Sequence, residues 1–314
     1  MPAPLPAFLA LLAAAAPIAP VALEPEVARP GDAVLVRVRA PTEPRGALAG
    51  RPLAFFRRGD EAWALAALPI ETPPGPAAVE IAVPGEPALA TTLTVVDPGF
   101  RSKSIKVPEK YVVPPREVRE RIRRDQAAFA AAWRQPFGPP LFAERFAWPR
   151  PEETGGRYGD KRILNGKKES VHYGIDIGAP RGAPVHAAND GEVVLARNCY
   201  YSGKTVVIWH GADLFTAYFH MDRLAVKVGR RLRQGDTIGA VGSTGRSTGP
   251  HLHWSVKLSG LYVDPESVLG IDFAAGTAPP RRAGPPPASA EPPAVPEAAP
   301  DEAGAAATPA APPR

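Results

Sequence analysis

The sequence contains a single cysteine, Cys199, among its 314 residues, so no disulfide can form within the chain. No cysteine lies near the N-terminus, and we therefore expect no lipoprotein anchor. No unbroken apolar run reaches the roughly 20 residues that a membrane-spanning helix needs. The run "GSTGRSTG" lacks the Gly-Lys-Ser/Thr ending of a phosphate-binding loop. We expect no transmembrane span, no nucleotide binding and no nucleic-acid partner.

The N-terminal stretch, residues 1–22, has the pattern of a secretory signal peptide. A short apolar core from Phe8 to Ala16 is followed by small residues, although no Lys or Arg precedes the core. We expect this segment to direct export, which would place the protein in the periplasm or cell envelope.

Proline and glycine are abundant, at 41 and 29 residues, which is too many for a helical protein and favours a mainly β fold. Residues 24–97 are predicted to form a small β-sandwich. In "RPGDAVLVRVRA", Val34, Val36 and Val38 alternate with Arg37 and Arg39 after a Pro-Gly turn. Further short strands at turn-punctuated intervals are typical of an immunoglobulin-like module. Nothing in this region suggests chemistry, so we expect a binding or spacing role.

Residues 98–150 are predicted to be a basic linker that contains one helix, residues 115–134. Pro115 suits a first helical position, and Val118, Ile122, Phe129 and Trp133 fall on one stripe. Residues 101–134 hold ten Lys/Arg against four Asp/Glu. This excess could contact an anionic polymer, such as a cell wall, or a membrane surface. The alternative is a solvated helix that is packed through its apolar stripe.

After Phe273 the composition changes to Ala, Pro, Gly and Glu without apolar periodicity. We therefore predict that residues 274–314 form a disordered tail.

The sequence has only six histidines, and "HLHW" places His251 and His253 one residue apart. In a strand, both rings would project from the same face. Two buried imidazoles without a partner are unfavourable because either ring can become charged near neutral pH. A metal ion that binds a neutral ring removes this difficulty. The alternative is a surface strand with two solvated histidines.

Two further motifs supply the remaining donors. His172 and Asp176 stand four residues apart in "VHYGIDIGAP", where the glycine and the β-branched residues predict a loop that enters a strand. His220 lies in the aromatic strand "TAYFHMD", and by itself it could be a core histidine. A catalytic zinc site uses three protein ligands and one open position. One carboxylate and two imidazoles from this set meet that need and leave two histidines for proton transfer.

Other polar residues in this region have simpler interpretations. We expect His186 and His210 to be structural and Cys199 to be a packed thiol. Arg162 and Asn165 could either line a groove or stabilise a loop.

The motifs "HYGID", "YFH" and "GRSTGPHLHW" resemble those of the LytM/lysostaphin family of zinc metallopeptidases, which cut peptide cross-links in bacterial peptidoglycan. The resemblance covers about residues 154–270. It implies a mostly antiparallel β-domain, residues 151–273, whose groove holds Zn²⁺. By the same resemblance, His172, Asp176 and His253 would be the zinc ligands, and His251 and His220 would be catalytic residues that are not ligands.

The predicted function is therefore that of an exported zinc endopeptidase acting on peptidoglycan peptides through a metal-activated water. The alternative is a non-catalytic cell-wall-binding or amidase-activating protein on the same fold. Such proteins typically lack the metal ligands, whereas this chain retains all three. An endopeptidase for ordinary proteins is a third possibility, because the motifs describe the metal site and not the specificity pockets.

Overall fold

The structure, a computed structural model, describes residues 21–273. The predicted signal peptide lies outside these residues apart from its last two positions, and the predicted tail lies outside them entirely. Within the described part, no helix has the length and apolar character needed to cross a bilayer.

The first third of the described chain is built from nine strands. They are β1 (Ala22–Glu24), β2 (Val27–Ala28), β3 (Ala33–Arg39), β4 (Arg45–Leu48), β5 (Arg51–Pro52), β6 (Phe55–Arg58), β7 (Glu61–Ala67), β8 (Gly75–Ala82) and β9 (Leu89–Val95). One sheet has the order β1-β3-β7-β6, and the other has the order β2-β9-β8-β4-β5. Only β2 and β9 pair in parallel in these two sheets of the described chain.

The two N-terminal sheets share one apolar core. Val34, Val36 and Val38 of β3 are buried in the same cluster as Val79 and Leu93 of the second sheet. The predicted alternation of β3 is confirmed on this face. The immunoglobulin-like type and the domain boundaries stay predictions.

The following segment is folded onto the C-terminal region. It contains β10 (Ser102–Ile105), two short 3-10 helices (Glu109–Tyr111 and Arg116–Val118) and helix α1 (Arg119–Ala132). The second 3-10 helix begins directly after Pro115 and continues into α1, so the helix predicted over residues 115–134 is present.

The C-terminal region contains thirteen strands and one short helix. They are β11 (Thr154–Gly156), β12 (Lys161–Leu164), β13 (Lys168–Val171), β14 (Ile175–Gly178), β15 (Pro184–His186), β16 (Gly191–Cys199), β17 (Gly203–Trp209), β18 (Leu214–Met221), β19 (Arg223–Leu224), β20 (Arg231–Leu232), β21 (Thr237–Ala240), β22 (His251–Leu258), β23 (Leu261–Val263) and α2 (Pro265–Gly270).

An eight-stranded antiparallel sheet dominates this region. Its order is β11-β14-β22-β18-β17-β16-β20, with β23 paired to β22. Two three-stranded sheets, β10-β12-β13 and β15-β21-β19, flank it. Because β10 pairs in parallel with β12, a strand of the predicted linker forms part of the C-terminal region.

Helix α1 covers part of one face of the large sheet. Phe129 and Trp133 pack with Phe215 and Phe219 of β18, at ring-centroid distances of 6.2 Å for Phe129–Phe219 and 5.2 Å for Trp133–Phe215. The apolar stripe of the helix is therefore used for packing. Of the cationic side chains of α1, those of Arg119, Arg123 and Arg124 are exposed to solvent, whereas Arg121 donates to the carbonyl oxygen of Asn198.

A buried carboxylate fastens α1 to the sheet. Asp125 accepts hydrogen bonds from Arg197 Nε at 2.9 Å and from the backbone N–H of Tyr200 at 2.8 Å. Buried carboxylates are stable only when they are paired and hydrogen-bonded in this way.

The second face of the N-terminal sheet is also buried. Leu35 and Trp63 belong to the same core as Trp254 and Val256 of β22. Ser267 Oγ of α2 accepts a hydrogen bond from the N–H of Ala33 at 2.9 Å. The two faces of β3 thus enter two different cores. One core lies between the N-terminal sheets, and the other lies against the C-terminal region.

We expect Leu35→Ala to lower the free energy of unfolding by about 2–4 kcal/mol, because Leu35 is fully buried between the two regions. Denaturant unfolding of the full chain measures this change. The control is Val27→Ala, since Val27 is 55% exposed and its loss should change stability by less than about 0.5 kcal/mol. Equal effects of the two substitutions would contradict the packing described.

Candidate metal centre

Strand β22 separates polar and apolar side chains onto opposite faces. The apolar face enters the core through Leu252, Trp254, Val256 and Leu258. The opposite face carries His251, His253, Ser255 and Lys257. The predicted strand is therefore present, and both histidines of "HLH" share one face.

Asp176 lies directly beside His253 because β14 pairs with β22 in antiparallel register. The neighbouring Ile175 and Ile177 point into the core, so Asp176 projects to the face that carries His253. His172 reaches the same point from the loop before β14. The predicted loop that enters a strand is present, and it brings His172 and Asp176 together.

Gly174 permits the close approach of this loop to β22. A Cβ atom at this position would lie 2.5 Å from the carbonyl oxygen of Trp254 and 2.8 Å from His253 Nε2. Only glycine fits so close to a neighbouring backbone.

Three donor atoms converge at the end of this approach. His172 Nε2 lies 3.0 Å from Asp176 Oδ1, and His253 Nδ1 lies 2.8 Å from the same oxygen. The two ring nitrogens are 2.9 Å apart. His172 and His253 are buried, while Asp176 is partly exposed.

The hydrogen bonds on the far sides of both rings define which nitrogens carry protons. His172 Nδ1–H donates to the carbonyl oxygen of Arg157 at 2.7 Å, which leaves a lone pair on Nε2. Ser255 Oγ–H donates to the carbonyl oxygen of Tyr173 at 2.5 Å. Because its own proton is used there, Ser255 Oγ accepts from His253 Nε2–H at 2.9 Å. His253 Nδ1 consequently carries a lone pair as well.

The centre thus brings together two imidazole lone pairs and a carboxylate oxygen with no proton between them. Burial lowers the pKa of His253 to about 4, which favours the neutral ring at neutral pH. A cation removes the repulsion, and two nitrogens with one oxygen are a donor set that suits Zn²⁺. The residues present therefore fit the metal.

Arg162 orients the carboxylate from the other side. Its Nη2 donates to Asp176 Oδ2 at 2.5 Å, which leaves Oδ1 directed at the two histidines. Of the alternatives for Arg162 and Asn165, the structure assigns the groove to Arg162. Asn165 stabilises a loop, since its side chain bonds both the N–H and the C=O of Val107.

A β-bulge turns His220 toward the centre. Unbroken alternation along β18 would place His220 beside Tyr218 in the core, but Phe219 and His220 together oppose Thr205 alone. His220 has a φ of +61°, in the left-handed region that non-glycine residues rarely adopt. Its amide N–H donates to the carbonyl oxygen of Ser202 at 2.8 Å, which holds this conformation. Such strain is concentrated at functional sites.

His220 and His251 lie beside the three donors with similar hydrogen bonding. His220 Nδ1–H donates to the carbonyl oxygen of Thr244 at 2.8 Å, and His251 Nδ1–H donates to that of Gly249 at 2.9 Å. Their ring centroids are 5.0 Å apart, and His251 Nε2 is 3.7 Å from Asp176 Oδ1. Burial lowers the pKa of His220 to about 3, so this ring is neutral at neutral pH. Within the described residues, neither Nε2 atom has a hydrogen-bond partner.

The remaining histidines and the cysteine lie elsewhere. His210 is fully buried, donates to the carbonyl oxygen of Asp190 and contacts Thr216 Oγ1, while burial lowers its pKa to about 4. His186 bonds the carbonyl oxygen of Gly235. Cys199 is a buried free thiol, as predicted.

Sequence reasoning missed two residues that hold His253. Ser255 fixes its tautomer, and the ring of Phe219 stacks on it at 5.3 Å with an interplanar angle of 10°. The spacing of Ser255, two residues after His253 in a strand, could have revealed it. The role of Phe219 depends on the pairing of β18 with β22, which the sequence does not display.

This arrangement, a His/Asp/His donor set in an open groove with two free histidines beside it, is typical of metal-dependent hydrolases. The comparison with known families is in agreement: residues 170–265 match Peptidase family M23. The chain carries a peptidase family M23 domain, and its resemblance to the LytM/lysostaphin peptidases is confirmed.

Similar proteins support this assignment. A 98-residue stretch is 44% identical to peptidoglycan DD-endopeptidase ShyA of Vibrio cholerae, covering 31% of this chain and 23% of ShyA. DD-carboxypeptidase/endopeptidase Mpg of Neisseria gonorrhoeae is 43% identical over 98 residues, with the same two shares. A crystal structure of a peptidase M23 protein from Pseudomonas aeruginosa is 28% identical with a TM-score of 0.57, covering 77% of this chain and 94% of that one. The chain thus spans about a quarter of the length of the curated relatives it matches.

We expect Arg162→Gln to weaken zinc affinity by about 10- to 100-fold, because Asp176 loses the contact that orients it. Competition with a chelator measures this affinity. Lys161→Gln is the control, since Lys161 precedes Arg162 in β12 and is exposed. An unchanged affinity in Arg162→Gln would show that the carboxylate is oriented without it.

Proposed function

We propose that this protein is a zinc-dependent endopeptidase that hydrolyses peptide cross-links or stem peptides of bacterial peptidoglycan. The observation that carries the proposal is the convergence of lone pairs on His172, Asp176 and His253 beside two free imidazoles. The M23 match and the activities for which ShyA and Mpg are named support the choice of substrate. A non-catalytic role on the same fold is disfavoured because the complete donor set is retained.

The proposed ligands of the metal are His172 Nε2, His253 Nδ1 and one oxygen of Asp176. When bound there, Zn²⁺ would polarise the scissile carbonyl and lower the pKa of water. The protein contributes rigidity, because each ligand is held by a second contact to Arg157, Ser255 or Arg162.

We assign the proton transfers to His251 and His220. Their Nδ1–H groups are occupied by backbone carbonyls, so each ring presents only Nε2 to the groove. A neutral ring accepts the proton of the attacking water, and the resulting imidazolium can stabilise the developing oxyanion or protonate the departing amine.

The groove around these residues suits an extended peptide. It encloses about 360 Å³, and its lining reaches from β10 on one side to residues 246–248 on the other. We propose that peptidoglycan peptides lie along this groove across the metal centre.

The other regions would support action in the cell envelope. We propose that residues 24–97 form an immunoglobulin-like spacing or binding module. The exposed cations of α1 would contact anionic cell wall, because its apolar side is already buried against the sheet. The signal-peptide pattern in residues 1–22 supports export.

We expect His251→Ala to retain the metal and lose peptidase activity, because His251 is not among the three converging donors. His253→Ala should lose both, since Nδ1 of His253 is one of those donors. Metal analysis of the purified variants, together with zymography on embedded cell wall, measures both properties. His186→Ala is the control and should retain both.

A full zinc complement in His253→Ala would refute the ligand assignment. Removal of the metal with a chelator should abolish clearing of the embedded wall, and added Zn²⁺ should restore it. Clearing that persists in the chelator would refute the metallopeptidase proposal.

A further inference from the structure

The groove contains a cationic side chain that the metal centre does not use. Five charged side chains line it at residues Lys103, Asp160, Arg162, Asp176 and Arg246. Arg162 is paired with Asp176, and Asp160 accepts a hydrogen bond from the backbone N–H of Arg101. Within residues 21–273, neither Lys103 nor Arg246 forms an ion pair, but Lys103 is exposed to solvent whereas Arg246 is partly buried.

Arg246 is held in place against the groove wall. Its backbone N–H donates to the carbonyl oxygen of Tyr201 at 2.7 Å, and its guanidinium lies 5.5 Å from the centre of the Tyr201 ring. The preceding Gly245 has a φ of +74°, and a Cβ atom there would lie 2.5 Å from the same carbonyl oxygen. The backbone that carries Arg246 is therefore packed closely against residues 201–203.

The surroundings of Arg246 favour an anionic ligand. The residue is partly buried, and burial lowers its pKa, with Tyr201 opposing this change and the charge of Arg162 adding a smaller decrease. A cation in this setting is unfavourable unless a negative charge accompanies it. A guanidinium presents two parallel N–H groups that match both oxygens of a carboxylate. The contact with Tyr201 reduces the freedom that would be lost on binding.

We propose that Arg246 forms a carboxylate-binding subsite, so that the preferred substrate is a peptide with a free carboxylate near the scissile bond. This inference rests on the proposed function, because it assumes that the bound peptide is hydrolysed at the metal centre. The carboxylate would lie between Arg246 and the metal centre in the groove and would fix the register of the peptide. Arg246 is then a specificity-determining residue and does not take part in proton transfer.

The test compares two synthetic cross-linked stem peptides, one with its carboxylates free and one with all of them amidated. Calorimetry measures their binding to the zinc-loaded full chain carrying His251→Ala, which prevents turnover. We expect the free form to bind about tenfold more tightly, as for a hydrogen-bonded charge pair. Arg246→Gln in the same background should bring the ratio close to one, and Arg246→Lys should retain part of it.

Arg230→Gln is the matched control, because Arg230 is exposed and lies outside the groove lining, and it should leave the ratio unchanged. Three results would overturn the subsite. They are equal affinities for the free and the amidated peptide when Arg246 is present, an affinity ratio that Arg246→Gln leaves unaltered, and failure of both peptides to bind. These readouts need no hydrolysis. Loss of wall clearing by the wild-type chain would therefore count against the proposed function alone.

Discussion

The mutual approach of two imidazole lone pairs and a carboxylate oxygen is the constraint on which the rest of the structure depends. Groups of this kind repel one another at 2.8–3.0 Å, so the folded chain must hold them there by other means. It does so with partners on the far side of each group: Arg157 on one ring, Ser255 on the other, and Arg162 on the carboxylate. Strand pairing between β14 and β22 supplies the remaining restraint.

The conformation of His220 is also explained by the contacts that it makes possible around the metal centre. A regular strand would have buried this ring among apolar side chains, where a titratable group is unfavourable. The bulge instead places Phe219 against His253 and His220 beside His251, so that one irregularity arranges two functional neighbours. Phe219 also contacts Phe129 of helix α1. The ring of Phe219 therefore lies between helix α1 and His253, a proposed metal ligand.

The layers around the large sheet leave one area open. The N-terminal sheet and α2 cover one of its faces, while α1 covers part of the other. The uncovered part of that second face, bounded by β10 and the loop that carries Arg246, is the groove. The segment predicted as a linker therefore contributes packing and a groove wall in addition to connecting two regions.

Much of this protein follows from local pattern. Period-two alternation predicted β3 and β22, the apolar stripe predicted α1, and the motifs brought out the five residues His172, Asp176, His220, His251 and His253 that the structure gathers. Alternation is visible in a sequence because it depends only on backbone geometry. The tautomers of both rings, the orientation of Asp176 by Arg162, the bulge at His220 and the second buried face of β3 depend on contacts between residues far apart in the chain. Strand register and packing decide such contacts, and these emerge only when the whole chain is folded.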